Sequence, residues 1–237
     1  MEQLNMKRDN WYQLNNNQLK IIAMVTMLID HIGVGLFSNV LFFRIIGRIS
    51  FPIFAYMIAE GCTYTRKRAS YLGKIALLGV GCQLVYAIAM QDFYQGILIT
   101  FSLSILTIYA IDGLLRNSNA ASAGIVVATL GAVVFLTMIA PEIWKKYGFG
   151  VDYGILGVLF PVAVYYAKEK RGKLMATVLM MLSMGVGLGG VQWYAFLAFP
   201  FLLVYNGKRG TRNLKYLFYI FYPSHLVLIY LLGLLLG

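Results

Sequence analysis

Charge is what this sequence has least of. Asp, Glu, Lys and Arg make up 12% of its 237 residues, against roughly 25% in a soluble globular domain. That is too few to cover a water-facing surface, and it excludes an ordinary soluble fold. Acidic residues are scarcer still, 9 against 20 basic ones. Only two cysteines occur. Cys62 and Cys82 both fall in apolar segments and form no C-x-x-C pair, so they are expected as small buried residues. Only two histidines occur. His31 and His225 lie far apart in sequence, and no metal-ligand cluster is legible. Long linkers and internal repeats are also missing, which points to a single domain.

What remains is apolar. Hydrophobic residues make up 60% of the chain and the mean hydropathy is +0.73. The apolar residues come in long runs, such as 75–90 and 120–140. A bilayer core needs about 20 helical residues to cross it, and the sequence is cut at that interval. The pattern predicts an all-α, polytopic transmembrane helix bundle of about nine spans, with eight or ten as alternatives. They are placed near 19–37, 49–64, 72–90, 97–115, 121–140, 151–167, 174–190, 192–206 and 214–236. The seventh and eighth meet at the glycine-rich stretch 185–190, a tight turn or a broken helix. Residues 1–18 form a polar N-terminal segment and 19–237 one transmembrane domain. No cleavable signal peptide is expected, since the first apolar stretch carries Asp30 and His31.

The net charge of +11 does not point to nucleic acid, because the cations sit between apolar runs. Counted in alternate loops, 16 of the 20 Lys and Arg fall in one set and 4 in the other. The larger set holds Lys7, Arg8, Lys20, the loop 64–74, Arg116, the loop 168–173 and the loop 208–215. The smaller holds Arg44, Arg48, Lys145 and Lys146. Cytoplasmic loops carry the excess of positive charge, so the N-terminus is expected in the cytoplasm of a cell-membrane protein.

Ionisable residues within a span are costly and suggest function. Asp30, His31, Glu60 and His225 are the ones placed here. Lys20 and His31 are eleven residues apart, which puts them on one helix face about 16 Å apart along the axis. Asp30 occupies an adjoining face and is expected to pair with Arg44 or Arg48. Glu60 needs a counter-charge such as Lys20 or Lys74, a proton, or a wetted cavity. His225 follows the helix-distorting Pro223 and sits near Tyr216, Tyr219 and Tyr222. Asp112 and Arg116, one turn apart, are expected as a surface pair of small value.

These residues resemble those of a known family. Leu19-Lys20-Ile21-Ile22-Ala23 followed by Asp30-His31-Ile32-Gly33 is similar to its first-span signature. Arg44, Gly47, Arg48, Phe51-Pro52, Phe54-Ala55, Glu60-Gly61 and Thr65-Arg66 resemble its second. Asp152-Tyr153-Gly154 and Tyr222-Pro223-Ser224-His225 resemble later landmarks. This is the TraX family, named for a conjugative pilin N-acetyltransferase. The resemblance covers about 18–230, although 91–150 carries no matching motif.

The family is similar to type 3 membrane acyltransferases, whose signature is a basic residue, ten residues, then histidine. The resemblance implies acetyl transfer from cytoplasmic acetyl-CoA to an amine or hydroxyl of a peptide or glycan acceptor at the membrane or outside. No metal is implied. His31 would be the general base, with Asp30, Glu60 and His225 as further catalytic candidates. Lys20, Arg66, Lys67, Arg68 and Lys74 would meet the phosphates of CoA. Arg44, Arg48, Asp152, Tyr153 and Tyr222 are candidates for the acceptor or the oxyanion. Two rival readings are a secondary transporter or flippase, suggested by Asp30, Glu60 and the glycine-rich break, and a non-catalytic membrane assembly protein.

Overall fold

Helix α1 (Asn16–Leu36) begins where two polar side chains cap one another. The Asn15 side chain accepts from the Gln18 backbone N–H at 3.1 Å, and the Gln18 side chain accepts from Asn15 N–H at 2.9 Å. Such a capping box satisfies two of the helix's orphan donors. It starts the helix three residues before the expected span. This computed structural model describes residues 13–37, 39–90, 92–211 and 214–236. Lys7, Arg8 and Arg212 lie outside the described residues, as do the first twelve positions of the polar N-terminal segment.

After α1 come α2 (Leu41–Gly47) and α3 (Ser50–Tyr64), which together form one apolar stretch of 24 residues, Leu41–Tyr64. The sequence placed the second span at 49–64, with Arg44 and Arg48 close outside it. The structure takes both arginines into the helical stretch. Pro52 lies in the first turn of α3, where its missing N–H costs no helical bond, so it starts a helix and does not end the span.

Next are α4 (Arg68–Met90), the two-residue strand β1 (Tyr94–Gln95), α5 (Ile97–Arg116) and α6 (Ala120–Val134). A π-helical turn, Phe135–Ile139, joins α6 to the short α7 (Ala140–Ile143). Pro141 has no N–H to give the preceding turn, and the helix widens there. Strand β2 (Gly150–Val151) pairs in parallel with β1, Tyr94 opposite Gly150. Then follow α8 (Gly154–Tyr166), α9 (Lys170–Leu188), a 3-10 stretch at Gly190–Ala198, α10 (Phe199–Leu203) and α11 (Lys215–Leu236). Gly189 and Gly190 have φ of +65° and +53°, a backbone that glycine adopts without a Cβ clash. The glycine-rich break is therefore a turn that ends α9.

Among the described residues, seven helical stretches are long and apolar enough to cross a membrane. Two shorter apolar stretches, Gly154–Tyr166 and Gly190–Leu203, occupy the places of the sixth and eighth expected spans. The fold is the expected helical bundle, about nine helical stretches in all. Exposed large apolar side chains recur along it, including Leu77, Leu84 and Ile88 on α4, as lipid-facing helices require.

The helices form two compact units. One comprises the described residues of 1–57 and 184–237, the other 58–183. In the first, α1 packs against α2 and α11. Backbone bonds tie 14–16 to the 204–208 segment, with Leu14 N donating to Val204 O at 3.0 Å and Asn16 N to Lys208 O at 2.9 Å. In the second unit, α5 is central, packed against α4, α6 and α8. Buried Thr100, Ser104 and Thr107 lie on α5, and Ser104 donates to Val158 O of α8 at 2.8 Å.

Candidate functional site

The two histidines, 194 positions apart in sequence, touch. His31 Nδ1 lies 2.8 Å from His225 Nε2, and the rings stack with centroids 5.0 Å apart. Both belong to the first unit, His31 on α1 and His225 on α11. His225 is 4% exposed. Its other nitrogen, Nδ1, lies 2.8 Å from the Phe221 carbonyl one turn back. The Phe221 ring stacks on it at 4.7 Å, and the Tyr222 ring meets it edge-on at 5.6 Å. Separation in sequence therefore does not separate these two histidines in space. Among the described residues no group of three or more His, Cys, Asp or Glu is placed to hold a metal ion.

Beside His31, the Asp30 carboxylate holds two arginines. Arg48 Nη2 donates to both oxygens at 2.9 and 3.0 Å, and Arg44 Nη1 donates to Oδ2 at 2.9 Å. Arg48 and Asp30 are buried, and charge-assisted bonds of this kind are about twice as strong as neutral ones. The expected pairing of Asp30 with Arg44 or Arg48 holds for both arginines. Gly47 makes it possible: a Cβ there would collide with the Asp30 side chain. Glycine lets the turn between the arginines close onto the carboxylate.

Lys20 lies at the N-terminal end of α1, its ammonium 5.2 Å from the Phe218 ring centroid of α11. Arg209 is close enough to repel it electrostatically. Arg209 belongs to the loop before α11, a segment read from sequence only as a topology signal.

The second unit holds the other candidates. Glu60 is buried and receives Lys173 Nζ at 2.5 Å. Its counter-charge is thus neither Lys20 nor Lys74, the partners suggested by sequence. Lys173 was counted as a loop cation, but it lies in the first turn of α9 and is itself buried. Arg68 donates to Asp112 at 2.6 Å. Tyr165 and Tyr166 donate their hydroxyls to the same carboxylate at 2.7 and 3.2 Å. Asp112 is therefore a buried hub on α5, not half of a surface pair with Arg116. Cys62 is buried, and Cys82 is half-buried. Arg66, Lys67 and Lys74 are exposed.

Asp152 and Tyr153 also belong to the second unit. Tyr94 donates to Asp152 Oδ1 at 3.2 Å, and Thr100 donates to the Asp152 carbonyl at 2.9 Å. Burial, with the Asp152 carboxylate beside it, pushes the Tyr94 phenol above its ordinary value, so it stays a donor at neutral pH. Tyr153 has φ of +58°, a conformation that costs a non-glycine residue on the order of 1 kcal/mol or more.

The structure thus gathers His31, Asp30, His225, Arg44, Arg48 and Tyr222 within one unit, with Lys20 farther along the same α1. It places Glu60, Arg66, Lys67, Arg68, Lys74, Asp152 and Tyr153 in the other. Sequence reasoning missed Phe221 and Arg209 near the first group. The i−4 spacing of Phe221 to His225 was the signal for one of them.

Comparison with known proteins bears on this arrangement. The family model described as TraX protein matches residues 15–233. The chain is similar to the probable fimbrial assembly protein FimC, serogroup H1, of Dichelobacter nodosus. The two are 25% identical over 242 residues, covering 90% of this chain and 93% of that protein. It is also similar to an uncharacterized protein of Rickettsia prowazekii (strain Madrid E), 28% identical over 157 residues, 66% of this chain and 57% of that protein. No solved structure matches the chain.

Proposed function

This chain belongs to the TraX family, and from that premise we propose that it is an integral membrane acetyltransferase. Its donor is acetyl-CoA from the cytoplasm. Its acceptor is an amine or hydroxyl on a membrane-associated or extracytoplasmic molecule. The observation that carries the reading is His31, held by a second histidine beside an Asp–Arg–Arg cluster within apolar helices. A base on a rigid helix, with cationic donors close by, is what acyl transfer needs.

His31 takes the proton from the acceptor N–H or O–H. The freed lone pair attacks the thioester carbonyl, forming a C–N or C–O bond and a tetrahedral oxyanion. Collapse breaks the C–S bond. The leaving thiolate takes the proton back from the His31 imidazolium and departs as CoA thiol, leaving His31 neutral. Arg44, Arg48 and Tyr222 are the candidate donors to the oxyanion. A base of this kind contributes about 10²–10⁴ in rate. Lys20 is proposed to meet the polyanionic end of the donor, with Arg209 beside it. Arg66, Lys67 and Lys74 are exposed cations of the second unit, and Arg68 there is engaged by Asp112. The N-terminus is proposed to face the cytoplasm on the charge asymmetry of the loops.

The name of the Dichelobacter relative, a probable fimbrial assembly protein, favours a second reading, in which the chain aids assembly without catalysis. Donor binding separates the two. The protein in detergent is melted with acetyl-CoA, CoA and dephospho-CoA. A ligand at 100 times its dissociation constant adds about 2.7 kcal/mol of apparent stability. Stabilisation by the first two, weaker with the third, is expected. No shift up to millimolar ligand would contradict the transferase reading and favour assembly.

A further inference from the structure

Hydrogen-bond accounting along the histidine pair assigns the protons, and we infer that His225 is a positioning residue that locks His31 in the tautomer with Nε2 as its basic atom. The inference rests on the proposed role of His31 as general base. It adds which nitrogen acts and what holds it.

The chain of bonds starts at Phe221. A backbone carbonyl only accepts, so the 2.8 Å contact from His225 Nδ1 requires a proton on that nitrogen. A neutral imidazole carries one N–H and one lone pair. With Nδ1 protonated, His225 Nε2 is the acceptor. His31 Nδ1, 2.8 Å away, must then donate. Its own proton being on Nδ1, His31 is left with its lone pair on Nε2. The order is Phe221 carbonyl, His225, His31, with the remaining lone pair on His31 Nε2. No carboxylate is needed to orient the base. The Asp30 carboxylate instead holds Arg44 and Arg48.

The His225 ring is itself fixed, stacked on Phe221 and met edge-on by Tyr222. During transfer His225 keeps its proton. His31 keeps the one on Nδ1, takes the acceptor's proton on Nε2, and gives that one to the departing thiolate.

The chain has only two histidines, which makes the test clean. Full-length protein labelled with 15N-histidine is studied by NMR in a membrane mimetic, as wild type and as His225→Gln and His225→Leu. Either variant leaves His31 as the sole histidine. The wild-type spectrum should show His31 protonated at Nδ1 with a pyridine-like Nε2. Glutamine can accept from His31 Nδ1, and should retain that pattern and most of the transfer rate. Leucine cannot, and should release His31 toward the Nε2–H form. The rate should then fall on the order of 10–10²-fold, because the lone pair points the wrong way.

A wild-type His31 protonated at Nε2, or a leucine variant with unchanged tautomer and rate, would overturn the inference. The wild-type spectrum decides the point even if the leucine variant misfolds. Failure of the transferase reading would look different: no protein, the wild type included, would transfer acetyl, while the wild-type tautomer stayed as described.

Discussion

Asp30 accepts from two arginines and packs on a glycine, so three substitutions act on one carboxylate. Asp30→Ala leaves Arg48 buried without its counter-charge, a change worth about 3–5 kcal/mol when one partner of a buried pair is removed. Removing both charges, as Asp30→Ala with Arg48→Leu, should recover part of that loss. Melting in detergent across the double-mutant cycle measures the coupling, and additive losses would show that the pair contributes nothing beyond its parts. Gly47→Ala should cost about 1–3 kcal/mol by overpacking, because its Cβ collides with Asp30. An alanine variant as stable as the parent would remove the close approach as an explanation. The Asp30–arginine contact was legible in sequence, since Arg44 and Arg48 share a face one turn apart. The His31–His225 contact was not. No periodicity relates residues on the first and last helices of a chain, and only packing of α1 on α11 brings them together.

At the scale of elements, two ion pairs tie the ends of helices in the second unit, Glu60–Lys173 buried and Arg68–Asp112 half-buried. Glu60 near the end of α3 meets Lys173 in the first turn of α9, and Arg68 at the start of α4 meets Asp112 near the end of α5. Lys173→Met should destabilise by about 3–5 kcal/mol, and adding Glu60→Leu should restore much of it. If Lys173→Met melts like the parent, the pair is not what fixes α9. Sequence rules did well on element existence and poorly on partners. The long apolar runs gave the helices because bilayer thickness sets their length. Lys173 was taken for a loop cation because the seventh span was placed from 174, yet α9 starts at Lys170. The break at Gly189 and Gly190 was legible as a break, while its form as a turn depended on two positive φ values that a sequence does not display.

Over the whole molecule, the charge asymmetry of the loops and the seven long apolar stretches describe a multi-pass membrane protein. Single cysteines placed at Lys67 and at Lys145 should label from opposite sides of the membrane, Lys67 from the cytoplasm. Labelling of both from one side would break the alternation. The TraX membership spans nearly the entire chain, and the histidine pair joins its first and last helices. Helices near both ends of the chain therefore build the candidate site.

The most direct test of acetyl transfer uses inverted membrane vesicles from the native cells, expressing either the parent or His31→Ala. Acetyl-labelled CoA is added on the cytoplasmic face. Label is followed into lipid-extractable and acid-insoluble material, alongside release of free CoA. The account predicts label in one of those fractions with the parent, and a loss of about 10²-fold or more with His31→Ala at equal protein level and melting temperature. Equal incorporation by the two proteins would contradict it.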